Sequence, residues 1–436
     1  MYGFGCQSLS WAAPETSGLY PSSIPRFMST TSWESPLGWY DDPVNPEASD
    51  TAVAGVATRS PMRGNIDTDD RPLVLIWELT QACDLACDHC RADAVPDRHP
   101  EELTTAEGKR LLRQVREFGE GQLVVFSGGD PLKRADAVEL VDYGTDLGLN
   151  VTMTPSGTRS LTRERLAALA DAGLRRVALS FDGATPASHD AFRGEAGSFE
   201  ETVQAARDAR ELGIPLQVNT TVCEATRDEL APLADLVEDL GCVLWSVFFL
   251  VPVGRGAALE PVDPDTADEI MAWLHDVASN RPYGVKTTEA PQYRRVVHQR
   301  RREGDDHQRR SDGDETPQGR GNARAVEDVQ GRHGIVAGDG FAFVSHTGEV
   351  FPSGFLPLSA GNVRETPVTE LYRDSTLFRR LRDRDELQGK CGACPYRVVC
   401  GGSRSRAFAT TGDPLGSDPL CPYVPPGYEG PLPERS

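Results

Sequence analysis

The chain has 436 residues, enough for two or more domains with a sizeable core. Its 45 lysines and arginines against 66 aspartates and glutamates give a net charge of −21, which would repel nucleic-acid phosphates and argues against that class of partner. No run of about 18 apolar residues occurs, which excludes a membrane-spanning helix. We therefore expect a cytoplasmic protein with a halophilic, acidic surface, whose cysteines are ligands or free thiols rather than disulfides.

The predicted elements begin after an N-terminal extension. Residues 1–70 are rich in Ser, Pro, Gly and Thr without a sustained period, and we expect them to be disordered. Apolar runs that predict strands follow at residues 73–80, 122–129, 150–157, 176–183, 216–222 and 243–252. Helical patterns lie between them at residues 105–118, 135–147, 163–172, 199–212 and 227–240. This alternation predicts an α/β fold with a parallel sheet, and six strands favour a partial (β/α)6 barrel over residues 71–257.

A cysteine triplet follows the first predicted strand. The stretch "ACDLACDHCRADA" contains Cys83, Cys87 and Cys90. Structural zinc needs four ligands, whereas this triplet has no fourth cysteine nearby. Cysteine thiolates are the usual ligands of iron–sulfur clusters, and a cluster one ligand short would leave one iron open to another molecule. The spacing alone leaves zinc and a cluster open, and the strand context favours the cluster.

Polar and glycine-rich stretches end three of the later predicted strands. They are "SGGDP" at residues 127–131, "SFDG" at residues 180–183 and "NTT" at residues 219–221. Because the carboxyl ends of parallel strands meet at one edge of the sheet, we expect these stretches to lie beside the cysteine triplet.

The triplet after the first strand, followed by Gly-Gly-Asp-Pro after the second, resembles the radical S-adenosylmethionine (SAM) superfamily. The resemblance implies that the three cysteines hold a 4Fe-4S cluster whose open iron binds SAM, and that a 5′-deoxyadenosyl radical then removes hydrogen from a substrate. It also implies SAM contacts from two groups of residues. Gly128, Gly129 and Asp130 would receive the methionine amino group, and Ser180, Asp182, Asn219 and Thr221 would contact other parts of the cofactor. For the last four residues, capping of the next helix is an equal alternative.

The C-terminal region carries a second group of cysteines. Cys391, Cys394 and Cys400 in "CGACPYRVVC", with Cys421 further on, resemble the SPASM extension, a module that holds auxiliary clusters in radical SAM enzymes. This chain has Ser353 and Arg404 where that pattern has cysteines. The resemblance therefore implies one auxiliary 4Fe-4S cluster, held by the four cysteines, while tetrahedral zinc is the alternative. Two further cysteines, Cys223 and Cys242, lie in apolar company and are predicted to be buried structural thiols.

A linker joins the two cysteine-bearing regions. We expect residues 258–335 to be helical with a flexible insertion, because residues 297–333 are poor in apolar residues and mixed in charge. The remaining residues, 336–436, would then form the small cysteine-rich SPASM domain.

Several stretches resemble the haem and haem d1 biosynthesis branch of the superfamily, at residues 251–256, 286–295 and 351–364. The resemblance implies an oxidation of tetrapyrrole side chains, for example decarboxylation of iron coproporphyrin, with an electron donor such as ferredoxin or flavodoxin. Arg255, Lys286, Arg294 and Arg295 are candidate cations for the substrate carboxylates, with solvated surface as the alternative for each. Two other functions stay open, a SPASM-type maturase of peptides or proteins and a non-catalytic iron–sulfur sensor.

Overall fold

The computed structural model describes residues 67–311 and 335–433. Residues 1–66 of the predicted extension and residues 312–334 of the predicted insertion lie outside the described residues. The strands are β1 Val74–Glu78, β2 Leu123–Ser127, β3 Asn150–Met153, β4 Arg176–Ser180, β5 Leu216–Val222, β6 Leu244–Phe249, β7 Gly284–Thr288, β8 Phe341–Val344, β9 Glu349–Phe351 and β10 Gly361–Asn362. The helices are α1 Thr105–Arg116, α2 Ala137–Asp146, α3 Arg163–Asp171, α4 Pro186–Arg193, α5 Ser198–Glu211, α6 Leu230–Asp239, α7 Pro264–Asn280, α8 Tyr293–Ser311, α9 Val368–Asp374, α10 Thr376–Arg382, α11 Gly389–Gly392 and α12 Arg404–Thr411.

One sheet contains all ten of these strands, in the order β10-β9-β8-β1-β2-β3-β4-β5-β6-β7. Strands β1 to β7 are parallel to their neighbours, which confirms the predicted α/β fold with a parallel sheet. The six predicted strands are β1 to β6. The structure extends the sheet on both sides, because β7 pairs in parallel with β6 and β8 pairs in parallel with β1.

The core lies between the sheet and the helices that cover its outer face. Trp77, Phe126 and Trp245 are completely buried there, on strands whose outward side chains are apolar. Helix α1 approaches β1 closely at Gly108, where an added Cβ atom would lie 2.4 Å from the Trp77 ring. The opposite face of the strands encloses the barrel interior, and its side chains are only partly buried.

The linker is more regular than its composition predicts. The structure continues α8 to Ser311, so the expected insertion is helical over residues 297–311, and the rest of it lies outside the described residues. Its mixed charges suit a helix with a solvated face. Across the described ranges, no helix is both long and apolar enough to cross a membrane.

The C-terminal cysteine-rich region packs against the carboxyl edge of the barrel strands. Arg406 of α12 is buried and donates hydrogen bonds from Nη2 to the Phe249 carbonyl at 3.0 Å and from Nε to the Leu250 carbonyl at 3.2 Å. An ion pair with Asp418, at 3.4 Å, compensates its charge. One arginine thus fixes this region to the end of β6.

Candidate active site

The cysteine triplet lies in an irregular loop that follows β1. Cys83 and Cys87 are buried and Cys90 is partly buried, and all three are free thiols that line one cavity. The loop closes on itself through a parallel bridge between Ala82 and Val95, with the Cys83 amide donating to the Val95 carbonyl at 2.8 Å. The structure therefore brings the three predicted ligands together at the carboxyl end of the first strand.

Each of these sulfur atoms accepts a hydrogen bond. The Leu85 amide lies 3.4 Å from Cys83 Sγ, and the Ala94 amide lies 3.5 Å from Cys90 Sγ. The Arg193 guanidinium lies 3.5 Å from Cys87 Sγ. Burial raises the pKa of the Cys83 thiol, so a buried thiolate here needs such donors or a bound metal. Three thiols with N–H donors on their sulfurs fit a site for an iron–sulfur cluster.

The two glycines of the Gly-Gly-Asp motif support the cysteine loop by close backbone contact. An added Cβ atom would lie 2.5 Å from the Thr80 carbonyl oxygen at Gly128, and 2.4 Å from the Ala82 carbonyl oxygen at Gly129. The Gly129 amide donates to the Thr80 carbonyl at 2.8 Å and the Asp130 amide donates to the Ala82 carbonyl at 2.6 Å. Only glycine leaves room for this contact. Both glycines also line the cavity.

The Asp130 side chain is directed away from the cavity. It is completely buried, and its carboxylate accepts hydrogen bonds from the Leu132 amide at 3.0 Å and the Ser160 hydroxyl at 2.8 Å. Burial raises its pKa. The Asp130 backbone therefore lies next to the cysteine loop, as predicted, while its carboxylate joins the loops that follow β2 and β3.

The predicted contacts on β4 and β5 divide into two groups. Ser180, Asn219 and Thr221 line the cavity, whereas Asp182 is buried behind it. Asn219 and Thr221 lie inside β5, and Thr185 is the N-terminal cap of α4, so none of the four caps the helix that follows. The capping alternative is therefore wrong.

Asp182 instead orients an arginine that the sequence did not identify. Its Oδ1 accepts the Thr221 amide at 2.6 Å, and its Oδ2 lies 2.9 Å from the guanidinium of Arg193. Burial alone would raise the pKa of Asp182, but the charge of Arg193 and the hydrogen bond from the Thr221 amide outweigh burial and lower it. The sequence did contain a signal for the helix that carries Arg193. Thr185 before a proline marks the start of α4, and Gly194 directly after Arg193 marks its end.

Two further residues complete the surroundings of the triplet. His89 stacks on Phe192 with ring centroids 4.9 Å apart, and burial lowers its pKa to about 4, so its ring is neutral at pH 7. Arg255 donates to the Cys87 carbonyl at 2.9 Å and to the Ala94 carbonyl at 3.1 Å. Its guanidinium therefore clamps the cysteine loop and lines the cavity, so the alternative of a solvated surface residue is wrong for Arg255.

The cavity has a volume of about 650 Å³ and extends from the cysteine loop into the barrel. Its walls include apolar side chains such as Val125, Phe248 and Phe343. Among its lining residues, the cations outnumber the carboxylates. The cations are Arg91, Arg176, Arg193, Arg255, Lys286 and Arg294, and the carboxylate is Glu289.

Glu289 accepts hydrogen bonds from three serines of the C-terminal region. Ser353 and Ser405 donate to Oε1 at 3.0 and 2.9 Å, and Ser403 donates to Oε2 at 2.5 Å. Glu289 has a left-handed backbone with φ of 54°, which costs a non-glycine residue conformational energy and persists where its surroundings hold it. This carboxylate and its hydroxyl donors occupy the place where Ser353 replaces a cysteine of the SPASM pattern.

The four C-terminal cysteines lie together around the start of α12. Their sulfurs accept hydrogen bonds from amides, at 3.4 Å from Tyr396 to Cys394, from Gly402 to Cys400 and from Asp418 to Cys391. Cations surround them, including Arg404, whose Nη2 lies 3.6 Å from Cys391 Sγ. Within residues 67–311 and 335–433, no group of three or more His, Cys, Asp or Glu side chains is placed to hold a single metal ion.

Comparison with known proteins agrees with this geometry. The radical SAM superfamily model matches residues 77–237. An AdoMet-dependent heme synthase from Nitratidesulfovibrio vulgaris is 41% identical over 357 residues, which cover 81% of this chain and 92% of the relative. The chain belongs to the radical SAM superfamily. Membership implies a 4Fe-4S cluster and SAM as cofactors, and the homologues named as synthases indicate an SAM-dependent enzyme rather than a non-catalytic sensor.

Two other similarities show the range of the superfamily. A PqqA peptide cyclase from Rhodopseudomonas palustris is 31% identical over 367 residues, which cover 81% of this chain and 88% of the relative. The structure of Streptococcus suis SuiB bound to S-adenosylmethionine has a TM-score of 0.62 at 16% identity, covering 81% of this chain and 78% of that chain. The second similarity is one of fold.

The glycine contact predicts the effect of one added methyl group. Gly129→Ala should displace the Ala82 carbonyl, reduce the free energy of unfolding by about 1–3 kcal/mol and lower the iron bound after anaerobic reconstitution. Gly284→Ala is the matched control, because its Cβ atom would meet the Leu244 side chain at 3.4 Å, an ordinary contact. Denaturant unfolding and iron analysis measure both effects. Equal iron content in Gly129→Ala and wild type would contradict the supporting role of Gly129.

The Asp182–Arg193 pair generates a second prediction. Asp182→Asn keeps the acceptor for the Thr221 amide but leaves the buried Arg193 charge uncompensated, so we expect a loss of about 3–5 kcal/mol in the free energy of unfolding. Asp228→Asn, at a carboxylate that is 96% exposed and 3.7 Å from Arg227, should change it by less than about 0.5 kcal/mol. SAM binding, measured by calorimetry, should weaken in Asp182→Asn alone. Similar stabilities of the two variants would show that Asp182 does not hold Arg193.

Proposed function

We propose that this radical SAM enzyme oxidatively decarboxylates propionate side chains of an iron tetrapyrrole, with iron coproporphyrin III as the substrate. The observation that carries the proposal is the charge of the cavity. Six cations and one carboxylate line it, as named above, in a chain that has 66 acidic and 45 basic residues. A cavity so much more positive than the rest of the protein fits a substrate with several carboxylates.

The partners of these cations strengthen the charge argument. Arg91 pairs with Glu78 at 2.8 Å, and Arg193 pairs with Asp182. Arg176, Lys286 and Arg294 line the cavity without an ion pair or a side-chain hydrogen bond to the described residues. Charged side chains surrounded by protein usually have a partner, so three such cations are available to a bound anion.

Arg295 does not belong to this group. It is buried and pairs with Asp268 at 2.5 Å, while its guanidinium lies 5.5 Å from the centre of the Tyr423 ring. It does not line the cavity, so its expected contact with substrate carboxylates is not supported by its position. Burial would lower the pKa of Arg295, but the hydrogen bond to Asp268 and the nearby Cys421 outweigh burial and raise the pKa.

Two groups of cysteines would hold the cofactors of this reaction. Cys83, Cys87 and Cys90 are the proposed ligands of the SAM-binding cluster, and the C-terminal four are the proposed ligands of an auxiliary 4Fe-4S cluster. When bound, the first cluster and SAM supply a radical that takes one hydrogen atom from the substrate, and the second cluster supplies an acceptor for the remaining electron. Each propionate then loses a hydrogen atom, carbon dioxide and one electron and becomes a vinyl group. The residues around the first site bind SAM, orient the substrate and exclude water.

The contacts of the C-terminal cysteines suit an auxiliary cluster. Backbone amides donate to three of the sulfurs, and the Arg404 guanidinium lies 3.6 Å from Cys391 Sγ. Hydrogen bonds of this kind to the sulfurs are typical of iron–sulfur sites. The Glu289 network with Ser353, Ser403 and Ser405 supports one auxiliary cluster rather than two.

A peptide or protein substrate is the second candidate, because a PqqA peptide cyclase is among the relatives. The wide, cationic interior favours the tetrapyrrole over a peptide. A peptide with acidic side chains would also suit the charges, so the substrate has to be tested directly.

The first experiment uses anaerobically reconstituted protein with dithionite, SAM and iron coproporphyrin III. We expect about eight iron atoms per chain, from two 4Fe-4S clusters. 5′-Deoxyadenosine should increase when the porphyrin is added. Mass spectrometry should show that the porphyrin loses the mass of one carbon dioxide and two hydrogen atoms for each propionic acid side chain that becomes a vinyl group. Cys87→Ala should abolish the reaction, while Cys242→Ala, which also removes a buried thiol, should retain it. Deoxyadenosine that does not respond to porphyrin would overturn the substrate and leave the radical SAM assignment intact.

Arg404 generates a prediction for the auxiliary cluster. Its side chain is completely buried, contacts Cys391 Sγ and donates to the carbonyls of Pro414 and Gly416 at 2.9 and 2.8 Å. A cation and a hydrogen bond at a thiolate stabilise the reduced cluster, so Arg404→Met should shift its reduction potential to more negative values. Arg397→Met, which removes a charge paired with Asp385 at the surface, is the control. Redox titration followed by electron paramagnetic resonance measures both, and equal potentials would contradict the effect of Arg404.

A further inference from the structure

Two of the unpaired cations lie inside the barrel. Arg176 is the first residue of β4 and Lys286 is in the middle of β7, and both side chains line the cavity. Neither makes an ion pair or a side-chain hydrogen bond with the residues that the structure describes. Lys286 is accessible to solvent where it lines the cavity.

The two cations are at a similar height in the barrel. The pairing ladder joins Ala178 on β4 through Gln217 and Leu244 to Gly284 on β7. Arg176 lies two residues before this row of paired residues and Lys286 two residues after it. Because the strands of such a barrel are tilted, each step to the next strand lowers the paired residue by about one residue along the barrel axis. The three steps from β4 to β7 therefore bring Lys286 to about the level of Arg176. The nearby charge of Arg176 agrees with this placement, because burial and Arg176 together lower the pKa of Lys286 to about 8.

Repulsion between the two cations costs the protein free energy. The chain has an excess of acidic residues, yet none of the described acidic side chains neutralises this pair. Like charges without a counter-ion lower the stability of a protein, and they are typical of binding sites, where the ligand supplies the opposite charge. A carboxylate between Arg176 and Lys286 would relieve the repulsion and would receive hydrogen bonds from both side chains.

The pair lies at a distance from the reactive end of the cavity. Four residue steps along β4 separate Arg176 from Ser180, about 13 Å at about 3.3 Å per residue. The wall between these ends is largely apolar, with Val125, Ala178 and Phe343 among its residues. This arrangement matches a molecule with an apolar body and carboxylates on opposite edges.

We propose that Arg176 and Lys286 form a carboxylate anchor, which holds side chains of the substrate that are not being oxidised and so determines which side chain faces the cysteine loop. The anchor rests on the proposed function, because it assigns the far carboxylates of that tetrapyrrole. Arg294 lines the same cavity without a partner but belongs to α8, outside the strands that form the anchor.

The test compares binding of iron coproporphyrin III with binding of its tetramethyl ester, which has no carboxylates. Visible absorption titrations would be made with wild type, Arg176→Met, Lys286→Met and the double variant. Each single change should weaken binding of the acid by about tenfold to a hundredfold, since each removes a hydrogen bond to a charged group. Binding of the ester should stay the same in all four proteins. Arg175→Met is the matched control. It removes the same charge from the neighbouring position in the chain, but Arg175 is exposed and does not line the cavity.

The outcomes separate the anchor from the proposed function. If wild type binds the acid and the variants bind it equally well, the anchor is wrong and the substrate stands. Equal losses for acid and ester in the variants would show a disturbed cavity instead of a lost carboxylate contact, and would also overturn the anchor. If wild type binds neither porphyrin, both the substrate and the anchor are wrong.

Discussion

Backbone contact between two neighbouring loops is the constraint on which the site depends. The cysteine loop has no regular structure, so its shape comes from the Gly129 and Asp130 amides and from the Arg255 side chain, all of which donate to its carbonyls. Gly128 and Gly129 permit that approach because they have no side chain. The strands β1 and β2 carry the two loops side by side, and their parallel pairing sets the contact. The position of the three sulfurs is thus fixed by the sheet.

The sequence predicted the local parts of this arrangement well. Alternating apolar strands and amphipathic helices depend on neighbours along the chain, so β1 to β6 and the helices between them could be read from periodicity. Strand β7 was missed because Lys286, Thr287 and Thr288 look polar. They are polar because β7 faces the cavity, and that orientation depends on pairing with β6 across 40 residues of chain, which no local pattern contains.

The roles of charged residues were harder to predict, since they depend on which groups meet in space. Asp182 resembles a cofactor contact by its place after β4, but its carboxylate is used to hold Arg193, which comes from the following helix. Glu289 had no predicted role, because its three serine donors come from two segments far along the chain. The replacement of a cysteine by Ser353 was visible in the sequence. Only the fold shows that the Glu289 carboxylate and its serine donors lie at that position.

The separation of charge in this protein has a consequence for the binding of anions. A net charge of −21 repels an anion from the surface, while the cations in the cavity attract it at short range. Salt shortens the range of the surface repulsion, with a Debye length of about 10 Å at 0.1 M and about 3 Å at 1 M. Charges enclosed by protein are screened much less, so the attraction inside the barrel persists when the surface field has been screened. Capture of a polycarboxylate should therefore become easier as salt rises, which is the reverse of the usual effect of salt on binding between opposite charges.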